Sequence, residues 1–343
     1  MNEIRTHIAE QQSQTLLTEP RAAARAWLEA GRPVALATVI ETWGSAPVRT
    51  GGQMAIAGLD EFQGSVSGGC VEADVIAAAL DVIEAGPPQT LSFGIADETA
   101  WRAGLACGGK IRVHVVRLDP KSDTAHLDEL DAAATARKPV VVTTQLSDGE
   151  RRIVPAEQTT DPEIAEALRR GRSAVNENGD TFLHALTPPP RVIIVGATHI
   201  AQHLTTMATA SGYDVKVLDP RSAFASPARF NPSQLVPEWP EDGLATFAAD
   251  PFTAIVTLTH VDQIDDEALT VALKSRCRYI GSLGSRKTHA KRVARLKAAG
   301  FSDAEIERIH APVGLNIAAE TPGEIATSIL AEIISAFRKV PAA

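Results

Sequence analysis

Two cysteines stand in glycine-rich runs, GSVSGGC at residues 64–70 and ACGG at residues 106–109. Such loops expose backbone N–H donors and let a ligand approach the chain closely. Cys70 lies just before a predicted helix, whose positive end favours the thiolate, the nucleophilic and metal-binding form of cysteine; Glu72 opposes part of this effect. Cys70 and Cys107 are therefore candidates for sulfur transfer or for contact with a thiophilic metal. The alternative is that both pack under turns, because unpaired cysteines are usually buried and inert.

The stretch around these cysteines offers further positions for holding a cofactor. GSAP at residues 44–47 and the glycines at residues 51–52 add turns in which the backbone is accessible. The cysteines show neither C-x-x-C nor His/Cys zinc spacing, so a structural zinc site is not predicted. The candidates for cofactor binding in this part of the chain are Arg49, Gly68, Gly69, Gly108 and Gly109.

The elements that must position these residues belong to an N-terminal α/β domain. We predict that it spans residues 19–187 and follows a flexible segment at residues 1–18. Hydrophobic periodicity predicts helices at residues 21–30, Glu72–Ala85 and 125–136, and strands at residues 33–40, 53–57, 90–93, 111–118 and 140–144.

A second domain begins at three consecutive prolines, residues 188–190, which can join neither a helix nor a central strand. We predict a Rossmann-like, doubly wound parallel sheet over residues 188–343, because strands and helices now alternate. Capping boxes at Ser302 with Glu305 and at Thr321 with Glu324 mark two helix starts. The predicted strands are 192–195, 215–218, 254–258 and 279–280, and the predicted helices are 199–211, 265–274 and Arg286–Ala298.

The turn after the first of these strands, GATHIA at residues 196–201, stands where the dinucleotide-binding fingerprint occurs. Gly196 fits the pattern, whereas Thr198 replaces its second glycine and crowds the closest approach of a phosphate. Asp219 ends the next strand at the distance typical of a ribose-binding carboxylate, and Arg221 would instead suit a 2′-phosphate. These residues and His199 are candidates for nucleotide binding; the alternative is an empty or altered crevice.

Two later loops also follow predicted strands and would reach the same crevice. His260, Asp262 and Asp265 are candidates for metal ligation or acid–base chemistry, or else belong to a polar loop with helix-capping aspartates. The turn at residues 281–287 carries Ser285 and Arg286 and could hold an anion, or else is a tight turn with solvated basic residues.

The composition excludes several classes of protein. The chain has 343 residues and a net charge of −9, which argues against binding to a nucleic-acid duplex. Three cysteines do not make a disulfide framework. Neither a signal peptide nor an apolar run of about 20 residues occurs, so we predict a cytoplasmic protein with no membrane partner.

Taken together, these runs resemble the XdhC/CoxI family of xanthine dehydrogenase accessory proteins. The resemblance covers about residues 20–338 and rests on several long motifs. They are ETWGSAPVRTGGQM at 41–54, GSVSGGCVE at 64–72, DETAWRAGLACGGKIRV at 97–113, the turn at 196–201, YIGSLGSRK at 279–287, PVGLNIAAETPGEIA at 312–326 and SILAEI at 328–333.

The resemblance implies a cofactor chaperone without turnover chemistry of its own. Members of this family bind molybdenum cofactor, promote its sulfuration and hand it to a molybdenum hydroxylase such as xanthine dehydrogenase. For this chain, the resemblance implies a molybdenum hydroxylase client, a cysteine desulfurase as a second partner and a homodimer. The cofactor would lie in a cleft between the domains, with Cys70 as a metal ligand or sulfur relay and Cys107 near the metal.

Two positions depart from the family pattern, which commonly has glycine at position 198 and a second histidine at position 262, where this chain has Thr198 and Asp262. The alternative function is an NAD(P)-dependent oxidoreductase that uses the Rossmann-like domain. A metal-dependent hydrolase using His260, Asp262 and Asp265 is a third hypothesis.

Overall fold

The structure, a computed structural model, describes residues 20–44, 46–94 and 109–338. The chain forms two compact units, Met1–Pro188 and Pro189–Ala343. The first is an α/β unit built on antiparallel sheets, and the second is an α/β unit built on a parallel sheet. The predicted fold class is therefore confirmed. The flexible segment predicted at residues 1–18, and Cys107 with Gly108, lie outside the described residues.

The larger sheet of the first unit is covered on both faces. Its described strands are β1 (Val34–Trp43), β2 (Gln53–Ile56), β3 (Phe62–Gly64), β4 (Gln89–Phe93) and β5 (Lys110–Leu118), in the order β3-β2-β1-β5-β4. Helix α1 (Pro20–Glu29) packs on one face through Ala24 and Leu28. Helix α2 (Glu72–Ala85) packs on the other through Val75, Ala79 and Val82, which recur at helical spacing and are fully buried.

Strand β1 runs three residues beyond its predicted end at residue 40. Glu41, Thr42 and Trp43 continue the antiparallel pairing with β5 after a shift of register between Val39 and Glu41. These residues are half-buried or exposed, and the charged Glu41 interrupts the apolar pattern that marks the strand in the sequence. Pairing with a neighbouring strand, rather than burial, keeps them extended.

The rest of the first unit forms a smaller antiparallel sheet, of which only one strand was predicted. Helix α3 (Ser122–Thr135) leads into it, and helix α4 (Pro162–Arg170) packs against it through Ile164 and Ala167. Its described strands are β6 (Val140–Gln145), β7 (Arg151–Pro155), β8 (Ala174–Val175) and β9 (Thr181–Leu186), in the order β7-β6-β9-β8.

The second unit is a parallel sheet with helices on both faces, as predicted. Its strands within the described residues are β10 (Arg191–Val195), β11 (Asp214–Leu218), β12 (Leu235–Val236), β13 (Thr253–Thr257), β14 (Tyr279–Ser282) and β15 (Ile309–His310), in the order β12-β11-β10-β13-β14-β15. Its helices are α5 (His199–Ala210), α6 (Pro240–Ala245), α7 (Asp262–Lys274), α8 (Arg286–Ala298), α9 (Asp303–Ile306) and α10 (Pro322–Arg338).

Alternate residues of the central strand β10 serve two separate cores. Val192 and Ile194 pack with α5 and α10, whereas Ile193 and Val195 pack with α7 and α8. All four side chains are fully buried, as expected of a parallel sheet covered on both faces. The carboxyl ends of β10, β11, β13 and β14 therefore meet at one edge, where this fold places ligands.

Helix starts in the second unit follow the local sequence signals. Ser302 and Glu305 form the predicted capping box of α9. At α10, the Glu324 carboxylate accepts from the Thr321 amide at 2.9 Å, and the Thr321 hydroxyl accepts in return. Helix α7 begins at Asp262, three residues earlier than predicted, so Asp262 and Asp265 belong to its first turn rather than to a loop.

Candidate cofactor-binding site

The loop that carries Cys70 is folded around the carboxylate of Glu72. One carboxylate oxygen accepts from the Ser65 hydroxyl at 2.6 Å and from the Ser67 amide at 2.9 Å. The other accepts from the Ser67 hydroxyl at 2.5 Å and from the amides of Gly69 and Val71 at 2.9 and 3.1 Å. Glu72 thus acts as an internal anion at the N-terminal end of α2, where the helix dipole stabilises negative charge.

These contacts decide the protonation of Glu72. Partial burial alone would raise its pKa, but the hydrogen bonds from Ser65 and Ser67 outweigh burial and lower the pKa to about 2. The side chain is therefore a carboxylate throughout the physiological pH range.

The remaining amides of the loop also donate within it. The Gly68 amide donates to the Ser65 hydroxyl at 2.8 Å, and the Cys70 amide donates to the Ser67 hydroxyl at 2.9 Å. The glycines therefore do not offer bare donors to a ligand in this structure. They offer close approach instead, because both are exposed and the space beside Gly69, at φ 109°, is open.

Cys70 is half-buried, is in no disulfide and packs beside Ala46 and Val48 against the core under α2. A Cβ added to Gly68 would lie 3.3 Å from Pro47, so the GSAP turn and the cysteine loop are in contact. The structure thus brings together two of the motifs singled out in the sequence. Arg49 is exposed, and Gly109 is buried just before β5.

The Rossmann-like turn after β10 requires glycine at its first position. Gly196 has φ 111°, and an added Cβ would lie 2.7 Å from Cγ2 of Thr259. Thr198 is the N-cap of α5, and its hydroxyl accepts from the Ala201 amide at 3.4 Å. The threonine hydroxyl therefore accepts the hydrogen bond of an amide at the helix start, which a phosphate could otherwise accept. His199 is exposed and stacks on His203, with ring centroids 5.0 Å apart.

We expect Gly196→Ala to destabilise the protein by roughly 2–3 kcal/mol, because it combines a strained φ with overpacking against Thr259. The measurement is urea denaturation. Gly212→Ala is the matched control: Gly212 also has a positive φ, 82°, but an added Cβ meets nothing within 4 Å. Its cost should stay near 1 kcal/mol, that of the backbone conformation alone. Equal costs for the two variants would contradict the packing argument.

Asp219 and Arg221 bind each other rather than facing a ligand. Asp219 is completely buried, and it accepts from the Ala197 amide at 2.8 Å. Its two oxygens also accept from Nε and Nη2 of Arg221 at 2.8 and 2.7 Å. Burial would raise the pKa of Asp219, but the hydrogen bonds from Arg221 and Ala197 lower it. The carboxylate thus braces the glycine turn and holds Arg221.

Of the three residues considered for a metal site, Asp262 and Asp265 are held by different partners. His260 is exposed, with φ 59°. Asp262 accepts from Nη2 of Arg295 at 3.0 Å, and Asp265 is buried and accepts from the Thr259 hydroxyl at 2.6 Å. Over residues 20–44, 46–94 and 109–338, the structure contains no group of three or more His, Cys, Asp or Glu placed to hold a metal ion.

The turn after β14 carries the last two candidates. Ser285 is the N-cap of α8 and accepts from the Thr288 amide at 3.2 Å. Arg286 is exposed at the first position of that helix. Sequence reasoning missed Arg292, one of the most completely buried large side chains of the described chain, six residues further along the same helix. The available signal was its place four residues before buried Leu296, on a helix with few other apolar residues.

Sequence reasoning also missed a cavity of about 40 Å³ between the two sheets of the first unit. His114 and His184 line it, and burial lowers their pKa values to about 4 and about 3, with nearby arginines adding to the effect. A volume of this size has room for about three water molecules. It is too small for an organic cofactor.

No helix in the described part of the chain combines the length and apolar character needed to cross a membrane.

Comparison with known proteins gives consistent matches to both units. The profile described as the XdhC and CoxI family matches residues 27–94, and the profile of the XdhC Rossmann domain matches residues 192–333. The chain is 30% identical over 310 residues to the molybdenum cofactor insertion chaperone PaoD of Escherichia coli K12, covering 90% of this chain and 85% of PaoD.

Two further relatives match over nearly their whole length. A protein of Bacillus subtilis 168 described as a probable xanthine dehydrogenase subunit is 28% identical over 326 residues, covering 92% of this chain and 96% of the relative. A crystal structure described as a xanthine dehydrogenase, from Bacillus halodurans, superposes with a TM-score of 0.71 at 28% identity. That match covers 92% of this chain and 96% of the other.

Proposed function

This chain belongs to the XdhC and CoxI family, and on that premise we propose that it binds molybdenum cofactor and inserts it into a molybdenum hydroxylase of the xanthine dehydrogenase type. The relatives named above support the proposal, since one is a molybdenum cofactor insertion chaperone and another a probable xanthine dehydrogenase subunit. The cofactor is cargo in this role, and the chain needs no turnover chemistry to carry it.

The observation that carries the proposal is the braced loop at residues 64–70. Six hydrogen-bonding donors of residues 65–71 converge on Glu72, so the loop is held in place before any ligand arrives. Its two exposed glycines allow close approach, and Cys70 supplies the only sulfur of the loop. A thiolate is a suitable ligand for a thiophilic metal such as molybdenum.

We assign Cys70 to the metal or to sulfur transfer, with Cys107 as a second sulfur nearby. Gly68 and Gly69 would let the cofactor approach the backbone. Arg49, Gly108 and Gly109 would be the other cofactor-binding residues of the first unit. In this proposal the chaperone also supports sulfuration of the cofactor and receives the sulfur from a cysteine desulfurase. The family resemblance supports these finer roles.

We also propose a binding role for residues at the carboxyl edge of the sheet in the second unit. The residues we propose there are Gly196, Thr198, His199, Asp219, Arg221, His260, Ser285 and Arg286. Among them, Asp219 acts by bracing the turn. An NAD(P)-dependent activity finds no support in this geometry, because the buried Asp219 carboxylate is held by Arg221 and the Ala197 amide instead of facing a ribose.

We further propose that the protein acts in the cytoplasm as a homodimer. The family resemblance supports this proposal. Light scattering coupled to size-exclusion chromatography would give the mass in solution, and a monomer at micromolar concentration would reject the dimer.

The proposed function predicts that the purified chain carries molybdopterin when it is produced in cells that make molybdenum cofactor. Pterin fluorescence after oxidation, together with molybdenum analysis, should give close to one cofactor per chain under anaerobic conditions. Added to a cofactor-free client hydroxylase, the loaded protein should restore activity, whereas protein from cells blocked in cofactor synthesis should not. Absence of bound pterin under these conditions would reject the function.

A further inference from the structure

Arg292 carries a positive charge into the interior of the second unit with incomplete compensation. Its side chain is 1% exposed. Nη2 donates to the Asp265 carboxylate at 3.4 Å and to the Leu283 carbonyl at 3.3 Å, both long contacts. Nε and Nη1 are buried without a hydrogen-bond partner in the described part of the chain, and Nε lies 3.8 Å from Asp266.

The N–H groups of a buried guanidinium normally all donate to an acceptor, because an N–H without one loses its hydrogen bonds to water and gains nothing in return. Asp265 offsets little of this charge. One of its oxygens is held by the Thr259 hydroxyl, and burial raises the pKa of the carboxyl group. Nε and Nη1 of Arg292 therefore still lack a hydrogen-bond acceptor in the described part of the chain.

The unpartnered nitrogen lies beside the turn that begins α8. A Cβ added to Gly284 would lie 3.9 Å from Nη1 of Arg292 and 3.3 Å from the side chain of Thr288. Gly284 has φ 137°, a conformation that other residues rarely adopt, so this position of the turn favours glycine.

The start of α8 is favourable for an anion in its own right. In the described chain, the amides of Gly284, Ser285, Arg286 and Lys287 donate to no protein acceptor. The first turn of this 13-residue helix contains no acidic residue, while Arg286 and Lys287 add two cations. This contrasts with α2, where Glu72 occupies the equivalent amides.

We propose that Arg292 and the first turn of α8 form a binding site for a tetrahedral oxyanion of the phosphate class. The amides of residues 284–287 and Lys287 would meet the anion from outside, and the guanidinium of Arg292, whose Nη1 lies beside the turn, would add its positive charge from within. Taking the phosphate of molybdenum cofactor as the physiological source rests on the proposed function. The site itself recognises the phosphate group and would bind it free or as a phosphomonoester.

The test is calorimetric titration of the whole chain, at low ionic strength, with inorganic phosphate, adenosine 5′-monophosphate and adenosine. We expect saturable binding of one phosphate and one monophosphate per chain, and no binding of the nucleoside. Preference for free phosphate would identify an inorganic-anion site, and preference for the monophosphate would identify an esterified one. Absence of saturable binding of both anions would overturn the proposal.

Matched variants on α8 locate the site. Lys287→Glu should weaken phosphate binding at least about tenfold, because it places a like charge among the donors. Lys291→Glu makes the same change one turn further along the helix and should weaken binding no more than about threefold, by general screening. Both lysines are exposed, so both variants should fold. Equal effects of the two variants would overturn the proposal.

Arg292→Lys tests the buried group directly and should also raise the dissociation constant about tenfold, since a single ammonium replaces the guanidinium fork. Should this variant fail to fold, hydrogen exchange of the unmodified chain replaces it: phosphate should slow exchange of the amides at residues 284–288. An unchanged exchange rate would count against the site. Phosphate binding is measured on the chain without cofactor and pterin content on the loaded chain, so failure of this site and failure of the proposed function are distinguishable.

Discussion

Replacing Cys70 by serine is expected to leave the chain folded and to reduce its cofactor content to background. The substitution keeps the size of the side chain, and the residue 70 amide can still donate to Ser67. Because Cys70 is only half-buried, the loss of stability should be on the order of 1 kcal/mol. The sulfur atom is what serine cannot replace, so retention of molybdenum and pterin should collapse if sulfur contacts the metal.

The measurement is molybdenum and pterin per chain after anaerobic purification, followed by activation of the client hydroxylase. A variant that holds cofactor but fails to activate would indicate that Cys70 carries sulfur rather than anchoring the metal. Cys107→Ser should show a smaller loss. Retention and activation at the wild-type level by Cys70→Ser would reject the role given to this residue.

Cys277→Ser is the control for this experiment. Cys277 is 5% exposed within the core of the second unit, and its thiol contacts the Ala272 carbonyl at 3.5 Å. Burial raises the pKa of this thiol, which keeps it uncharged. Its substitution should lower stability modestly and leave the cofactor content unchanged.

Glu72→Gln is expected to destabilise the first unit by about 3 kcal/mol. The amide NH₂ of glutamine cannot accept hydrogen bonds, so the Ser67 hydroxyl and the amides of Gly69 and Val71 would face a donor. Each buried donor that loses its acceptor costs about 1–3 kcal/mol of stability. The total is smaller here, because the loop is partly exposed and water can accept some of these hydrogen bonds. Glu84→Gln, an exposed change on the same helix, should cost less than about 0.5 kcal/mol.

The same substitution should change the dependence of stability on pH. The folded pKa of Glu72, about 2, lies below its ordinary value of 4.5. The stabilisation is therefore fully present above pH 4.5 and is lost as the pH falls through 2. Urea denaturation between these pH limits should show that the free energy of unfolding falls more steeply with decreasing pH for the wild type than for Glu72→Gln. Parallel curves would indicate that the carboxylate does not hold the loop.

The parallel sheet of the second unit was predictable because its strands carry their own signal. Residues 192–195 and 254–256 are continuous apolar runs, and the helices between strands show helical spacing of apolar residues. The smaller sheet of the first unit was largely missed, and so was helix α4, which packs against it. The two ends of α4 were visible in the sequence, because Asp161 precedes Pro162 and Gly171 follows Arg170. Its short strands β7 and β8 gain their stability from pairing, which a sequence does not display.

The candidate site was predictable at the level of motifs and not at the level of contacts. The positions of Cys70, Gly68 and Gly69 stand out by composition. That Glu72 folds back onto the loop depends on the path of the backbone between residues 65 and 71. Arg292 was missed for a related reason: its partners Asp265 and Leu283 are 27 and 9 residues away along the chain, and their meeting is set by the packing of helices.

Thr259 connects two turns at the carboxyl edge of the parallel sheet. Its methyl group approaches the position beside Gly196, and its hydroxyl holds Asp265, the partner of Arg292. We expect a ligand that binds at the first turn of α8, and so alters the contact between Arg292 and Asp265, to change the affinity of a second ligand at the Gly196 turn. Linkage makes this effect reciprocal, so occupancy of either turn alters the affinity of the other by the same factor.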